Sequence, residues 1–437
     1  MRQMAFTKIY GVTTARKIFR HMICAVLFVA GISAPVYAQA IRARGLDNAR
    51  TPLVATEKIV AVSPDPSGIF LYTPAIVVND DGTLVAAVDY GGPGTGALDG
   101  PKSSEGDYSS GNQIRIYLSD NRGRSWTETD ARIPMMHEIL FKAGGHLYMI
   151  GHSDGLLCTR SDDGGRTWSE LSMLRSGSGW HQSCGAVDIH DGIVTLVYER
   201  KLPGEHLWPG VGPVLMQADE NADLTDPDAW RYSALYNPDP DIIAAKPSGI
   251  PALEVSGESV GNAGILEANV VRINNPDSHL YDSSGVVIMM RANTGFKDIG
   301  VMLRGRTDED GNPVIERIVK KGEPIFYVHI PGGHLKFHIQ YDPESELYWM
   351  VHSHINGTVD ERRRLALSFS ADLLTWTLAG IVAVGPADNA ARNYATLAIS
   401  GDDILILSRS GDENAKNNHD NNLVTFHRVR NFRKLIY

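Results

Sequence analysis

Ser161-Asp162-Asp163-Gly164-Gly165-Arg166-Thr167-Trp168 reads S-x-D-x-G-x-T-W, and a near copy, Ser119-Asp120-Asn121-Arg122-Gly123-Arg124-Ser125-Trp126, stands 42 residues earlier. Each box has the makings of a β-hairpin corner. An Asp or Asn side chain caps the turn's own amides, Gly supplies positive φ, and Trp pins the turn to the sheet. Two such corners at the spacing of a four-stranded unit describe a repeat. Degenerate copies extend it: Ser370-Ala371-Asp372-Leu373-Leu374-Thr375-Trp376 is one residue shorter, and Asp219 to Trp230 keeps the Asp-rich turn and the Trp. The expected fold is all-β, a six- or seven-bladed β-propeller of four-stranded antiparallel blades.

The first strand of each propeller blade lines the central channel, so the residues that open each repeat decide what the channel presents. Aligned by their downstream hairpins, these are Leu71 to Ala75, Met136 to Ile139, His181 to Cys184, Leu266 to Asn269, His334 to His338 and Arg392 to Ala395. Second strands follow at Thr83 to Asp89, His146 to His152, Ile193 to Arg200, Leu347 to His354 and Asp403 to Arg409. A seventh blade has room between Tyr232 and Val260 or between Phe296 and Tyr327. Glu57 to Val62 is placed to complete the last blade and close the ring. The axial positions carry His, Glu, Asn, Lys, Arg and Tyr where a purely structural channel would carry small or apolar residues, and convergent polar groups mark a ligand site.

Residues 1–38 read as a cleaved export signal: basic Arg2, Lys8, Arg16, Lys17 and Arg20, an apolar core from Met22 to Ile32, and Val36-Tyr37-Ala38 before the cut. The expected mature chain is a single propeller over 39–437, secreted or periplasmic. Membrane insertion is not expected, because the apolar core falls short of the roughly 18 residues a spanning helix needs. The formal charge is −10, and −15 without the leader's five basic side chains. A broad basic face for nucleic acid is thereby excluded. An anionic substrate would need a local basic pocket working against the global field. A monomer is expected.

The boxes resemble the Asp-boxes of sialidases and related propeller enzymes. That resemblance implies an Arg two residues ahead of Pro-Ala in the first blade, one of three arginines that grip a carboxylate, with an acidic residue just downstream and a Tyr activated by a Glu. Here Tyr72-Thr73-Pro74-Ala75 lacks the Arg, and no such Tyr–Glu pair stands out. A second resemblance, to the ulvan lyases and rhamnosyl-glucuronate lyases, rests on several stretches. They are Thr73-Pro74-Ala75-Ile76-Val77-Val78 through Gly91-Gly92-Pro93-Gly94, Leu266-Glu267-Ala268-Asn269-Val270-Val271, Pro331 to Phe337 with Tyr341-Asp342-Pro343, and Gly401 to Ile404 with Phe426-His427-Arg428. It implies β-elimination on a uronic-acid polysaccharide. Val88 stands where rhamnosyl-glucuronate lyases carry a catalytic His, which favours the ulvan-lyase arrangement with His on the second blade.

Elimination needs a base for the C5 proton, an acid for the departing O4, and a cation to neutralise the uronate carboxylate. His137 is the expected base, with Tyr198 as the acid or as the partner that shares the proton. Arg200, on the same strand face as Tyr198, with Lys336 and Arg392, is a candidate for the carboxylate. His152 and His181 would flank His137, and Glu267 with Asn269 would grip hydroxyls of a neighbouring sugar. No cofactor is required. His181 and Cys184 offer weak ligands for a structural zinc, and Asn417 to Asn422 offers oxygens for calcium. The leading expectation is an exported polysaccharide lyase acting on an anionic, ulvan-like polymer. The alternatives are an exo-glycoside hydrolase of sialidase or rhamnosidase type and a glycan-binding propeller without catalysis.

Overall fold

Six antiparallel sheets follow one another along the chain in the computed structural model, which describes residues 51–106, 108–206, 208–238, 241, 264–357 and 361–437. Blade one runs Phe70–Val78, Leu84–Gly91, Gln113–Ser119, Thr127–Ile133, and blade two Met136–Ala143, His146–Ser153, Gly155–Ser161, Ser172–Ser176. The inner strand of blade three is broken into Trp180–His181 and Asp188–His190, both paired with Ile193–Lys201, which continues to Val211–Asp219 and Arg231–Tyr232. Blade four runs Gly264–Val271, Gly285–Asn293, Ile299–Thr307, Pro313–Glu316, and blade five His338–Asp342, Leu347–Ser353, Arg364–Ser370, Thr377–Val384. Blade six takes Arg392–Ser400, Asp403–Ser410 and Leu423–Arg430 from the end of the chain and Lys58–Val62 from its beginning. The propeller is six-bladed and all-β. Phe296 to Tyr327 holds outer strands of blade four and a short hairpin, Ile318–Lys320 with Glu323–Ile325, rather than a further blade. The other stretch with room for a seventh blade, Tyr232 to Val260, falls largely outside the described residues, as does the expected leader. Among the described residues no helix is long and apolar enough to cross a membrane.

The inner strand of blade five begins at His338, four residues later than the alignment placed it. Gly332, at φ 70°, bends the chain just ahead, and Leu335 donates its N–H back to the Gly332 carbonyl at 2.8 Å. His334 therefore lies in a turn, and Lys336 in the irregular stretch that leads from it into the strand.

Strand alternation sends one face of each blade onto its predecessor and the other onto its successor, so the core is a ring of six interfaces. Between blades two and three Phe141, Tyr148, Ile150, Leu196, Tyr198 and Met216 interlock. Between five and six the centre is Trp349, with Leu367, Leu397, Ile406 and Phe432. The Asp-boxes join third to fourth strands in blades one, two and five and stabilise the turn from within. In the box of blade two Asp163 accepts from the N–H groups of Arg166 (3.0 Å) and Thr167 (2.9 Å) and from the Ser161 hydroxyl (2.9 Å). Ser161 in turn accepts from the Gly165 N–H, and the Trp168 indole donates to the Gly165 carbonyl. The shortened box at Ser370 keeps this pattern, with Leu373 at φ 63° in the place of Gly and Asp372 accepting from Leu374 and Thr375.

Asp163→Ala removes the acceptor that several of these donors share. It is expected to cost about 1–2 kcal/mol of stability, read as a lower urea midpoint at unchanged slope. An unaltered midpoint would show that the box side chain contributes nothing to the fold.

Candidate active site

Each inner strand starts at one mouth of the channel and ends at the other. Because the strands alternate in direction, the loops joining second to third strands rise at the starting mouth, and the Asp-boxes lie at the far one. This starting mouth holds a pocket of about 490 Å³ whose wall includes Tyr72, His137, His181, Glu267, Tyr394 and Arg409. Loop residues complete it: Tyr108 from 92–112 in blade one, Trp208 from 202–210 in blade three, and His419 with Asp420 from 411–422 in blade six.

A repeated backbone defect aims these side chains. The pairing of first and second strands slips between Leu71 and Pro74, Met136 and Ile139, Leu266 and Asn269, and Asn393 and Thr396, one bulge at the same level in four blades. Within three of them His137 (φ 54°), Glu267 (φ 60°) and Tyr394 (φ 45°) occupy the left-handed region, as does Cys184 (φ 50°) where the inner strand of blade three is broken. Non-glycine residues enter that region at a cost of about 1–3 kcal/mol, and strain of this kind gathers at functional sites. A bulge re-aims a side chain that a regular strand would point at a neighbouring blade.

At the base of the pocket Glu267, Arg291 and Tyr394 form one unit. Arg291, 4% exposed, donates from Nη1 to Glu267 Oε1 at 3.1 Å and to the Tyr394 hydroxyl at 2.9 Å, and from Nε to the His334 carbonyl at 2.9 Å. Burial pushes the Glu267 carboxyl up, but Arg291, then His181, the hydrogen bond to Tyr394 and Lys336 bring it below the usual carboxylate value. Glu267 is thus an ionised carboxylate in contact with a phenol. Two more guanidinium groups cover that phenol: Arg409 lies 3.8 Å from the Tyr394 ring centre and Arg362 5.5 Å. Both are buried, and among the described residues neither has a carboxylate within 4 Å. Arg362 Nη1 and Arg409 Nε are buried donors without an acceptor. Buried cations without counter-charge are costly, so this pair is set for an anion.

The opposite wall is built of histidines. His137 Nδ1 is 3.1 Å from His152 Nε2, and the His137 and His181 rings meet edge to face with centres 5.0 Å apart. His181 Nδ1 lies 3.1 Å from Oε2 of the fully buried Glu199, whose Oε1 accepts the Ala268 N–H at 2.9 Å. Burial holds His137 well below the usual imidazole value, and His181, His152 and Arg409 add to the effect. His137 is neutral at physiological pH. Beneath it Glu138 is fully buried with neither carboxylate oxygen hydrogen-bonded, and burial, then Asp89, raises it far above the usual range.

The structure brings His137, His181 and Glu267 together, with His152 behind His137. Lys336 lies close beneath them, 2% exposed, donating to the Ala395 carbonyl at 2.6 Å and lowered by burial to about 8. Tyr198 and Arg200 stand apart. Tyr198 is enclosed between blades two and three and donates to the Ile150 carbonyl at 2.7 Å and the His137 carbonyl at 3.1 Å, while Arg200 covers the Trp180 ring at 4.9 Å. The shared strand face is as expected, but at Tyr198 and Arg200 it meets the neighbouring blade and the Trp180 ring, not the pocket. Arg392 forks onto Glu57, with Nε to Oε2 at 2.9 Å. Asn269 accepts from Ala186 N–H and Ile339 N–H and donates to the Phe337 carbonyl, so it ties three blades together rather than reaching into the pocket.

His181 and Cys184 do not converge on a metal position. The Cys184 thiol sits in the apolar interface and is pushed up to about 12 by burial, and among the described residues no cluster of three or more His, Cys, Asp or Glu is disposed to hold an ion. The Asn417 side-chain oxygen accepts from the His419 and Asp420 N–H groups, and Asn422 bonds Asp412. That tract is a self-bonded loop that delivers His419 and Asp420.

Sequence reading missed the Tyr394–Glu267 pair and the arginines around it. Tyr394 and Arg291 are 103 residues apart, and only closure of the ring joins them. The signal available was Tyr394 and Glu267 at the same step of two aligned inner strands.

No protein-family model matches the sequence, and no curated protein matches it. Among solved structures, the chain is similar to Trypanosoma rangeli sialidase in complex with sialic acid, with a TM-score of 0.54 and 13% identity over 88% of this chain and 60% of that one. It is similar to the Hadza microbial sialidase Hz136 (TM-score 0.52, 14% identity, 83% and 66% covered) and to a Dyadobacter fermentans protein of unknown function (0.51, 12%, 86% and 98%). The chain spans less than two thirds of the length of either sialidase. The likeness establishes a sialidase-like propeller fold.

Glu267→Gln leaves Arg291 buried without its counter-charge and is expected to cost about 3–5 kcal/mol in denaturant unfolding. The double variant Glu267→Gln, Arg291→Met should recover part of that loss. Additive losses would show that the two side chains do not act as a pair.

Proposed function

We propose that the chain is a glycoside hydrolase that removes a carboxylated sugar, of the sialic or uronic acid kind, from the end of a glycan. The observation that carries this reading is the Tyr394 hydroxyl held between Glu267 and Arg291 at the base of the axial pocket. A tyrosine adjacent to a base is an activated nucleophile, and sialidases are known to use one in place of a carboxylate. The physical advantage is charge. A neutral phenol approaches an anionic sugar without the repulsion that a carboxylate nucleophile would meet.

In the first step Tyr394 Oη bonds to the anomeric carbon and Glu267 accepts the phenolic proton. The glycosidic C–O bond breaks, and the leaving oxygen takes a proton from the opposite wall. In the second step water attacks the anomeric carbon and gives a proton back to the group on the opposite wall, the tyrosyl C–O bond breaks, and the phenolate regains its proton from Glu267. Arg409 and Arg362, short of acceptors, supply the donors for the substrate carboxylate. The first-blade Arg is replaced by Tyr72, over whose ring Arg409 also lies at 4.8 Å. The cation on this side of the pocket therefore comes from the second strand of blade six.

β-Elimination on a uronate is the second reading, supported by the neutral His137 beside His152 as a base. The hydroxyl of Tyr198, given to two backbone carbonyls, would leave the acid role to another group.

Incubation with sialosides and with glucuronate-containing glycans should release free acidic sugar with no ultraviolet absorbance of an unsaturated uronate. Tyr394→Phe should lower that rate by about 10³-fold or more at unchanged melting temperature. Unsaturated product, retained in Tyr394→Phe and lost in His137→Ala, would replace hydrolysis with elimination.

A further inference from the structure

A nucleophile next to its base leaves one proton unaccounted for, the one the leaving oxygen must receive. Carboxylates usually hold it in glycosidases. Here both carboxylates that line the pocket are committed. Glu267 is ionised against Arg291. Asp420 accepts from Tyr72 at 3.2 Å and lies 2.9 Å from His419 Nδ1; burial pushes it up, but these bonds and that of Asn417 bring it to about 2, so it carries no proton near neutral pH.

Two histidines on the pocket wall are backed by a carboxylate, His181 by Glu199 and His419 by Asp420. Their surroundings differ in sign. His419 stands on the side of the unpaired arginines, and after burial itself Arg409 and Arg362 are among the causes that lower it. His181 stands between two carboxylates, Glu199 at 3.1 Å and Glu267, whose ionisation it favours. Glu199 has no exposure to solvent, and a buried carboxylate needs a counter-charge or a proton. The fixed Glu199, anchored by the Ala268 N–H, also sets the ring's orientation, because Nδ1 must face it.

We propose that His181, oriented by Glu199, is the catalytic acid that protonates the leaving oxygen and then, as a base, takes a proton from the attacking water. In the first step the N–H bond of the imidazolium breaks as the O–H bond of the departing alcohol forms. In the second the same nitrogen receives a proton from water as its oxygen bonds to the anomeric carbon. His181 thus returns to its starting state without any external reductant, oxidant or ion. The assignment rests on the hydrolase reading, and it moves the acid from a carboxylate to a histidine–carboxylate pair on the third blade.

The test compares leaving groups. Wild type, His181→Ala and His419→Ala are assayed on the 4-methylumbelliferyl and the methyl glycosides of N-acetylneuraminate and of glucuronate. A methylumbelliferyl anion departs without protonation, whereas methoxide does not. In kcat/KM, which reports only the steps through cleavage of the glycosidic bond, His181→Ala should lose about 10²-fold or more on the methyl glycoside and less than about 5-fold on the aryl glycoside, the range a general acid contributes. His419→Ala should change both substrates by the same factor. The aryl rate also reports that the variant is folded. Equal losses on both substrates in His181→Ala, or selective loss in His419→Ala, would overturn the assignment. If wild type hydrolyses none of these glycosides, the hydrolase reading and this one fall together. Hydrolysis with an intact leaving-group response in His181→Ala overturns this one alone.

Discussion

Everything at the mouth that holds the axial pocket depends on closure of the ring. Lys58–Val62 pairs with Leu423–Arg430, and the fork of Arg392 onto Glu57 fixes the start of that strand against the last inner strand. No single blade carries a working set of groups. The nucleophile candidate is on blade six, its base and its arginine on blade four, the facing histidines on blades two and three. A propeller converts the weak local information of each repeat into a site by a constraint that acts on all six at once. The final pairing leaves no inner sheet edge open, so the axial groups hold fixed positions relative to one another.

The acidic chain and the basic pocket are reconciled by depth. The formal charge is −10, yet Arg291, Arg409 and Arg362 are all buried and are concentrated around one phenol. Arg291 is compensated by Glu267, while the other two guanidinium groups have no carboxylate in reach among the described residues. Their charge is screened little at such depth, whereas the surface charge is largely screened beyond about 10 Å at ordinary ionic strength. On the proposed reading, recognition of an anion is a short-range event, decided only after the ligand has entered the mouth.

The architecture was legible in the sequence because hairpin corners and β-runs are local. Second strands fell within one or two residues of their expected bounds, as at His146–Ser153 and Asp403–Ser410. So did the closing strand. His137, His181 and Glu267 were placed at the mouth for the same reason, since each opens a repeat. Tyr198, Arg200 and Arg392 show where local logic stops. Alternation says which residues share a face, and it cannot say whether that face meets the axis, a neighbouring blade or Glu57. Tyr394 shows the converse: its role exists only beside Glu267 and Arg291, and nothing within blade six announces them.

The bulges at the mouth restrict what this site can become. His137, Glu267 and Tyr394 take left-handed backbone conformations, and all three are unbranched at Cβ. Valine, isoleucine and threonine are the side chains that this backbone accepts least. The fold therefore filters its own evolutionary repertoire. At these three positions it admits imidazole, carboxylate and phenol, and a lineage built on this scaffold can exchange one titratable side chain for another without first repairing the ring.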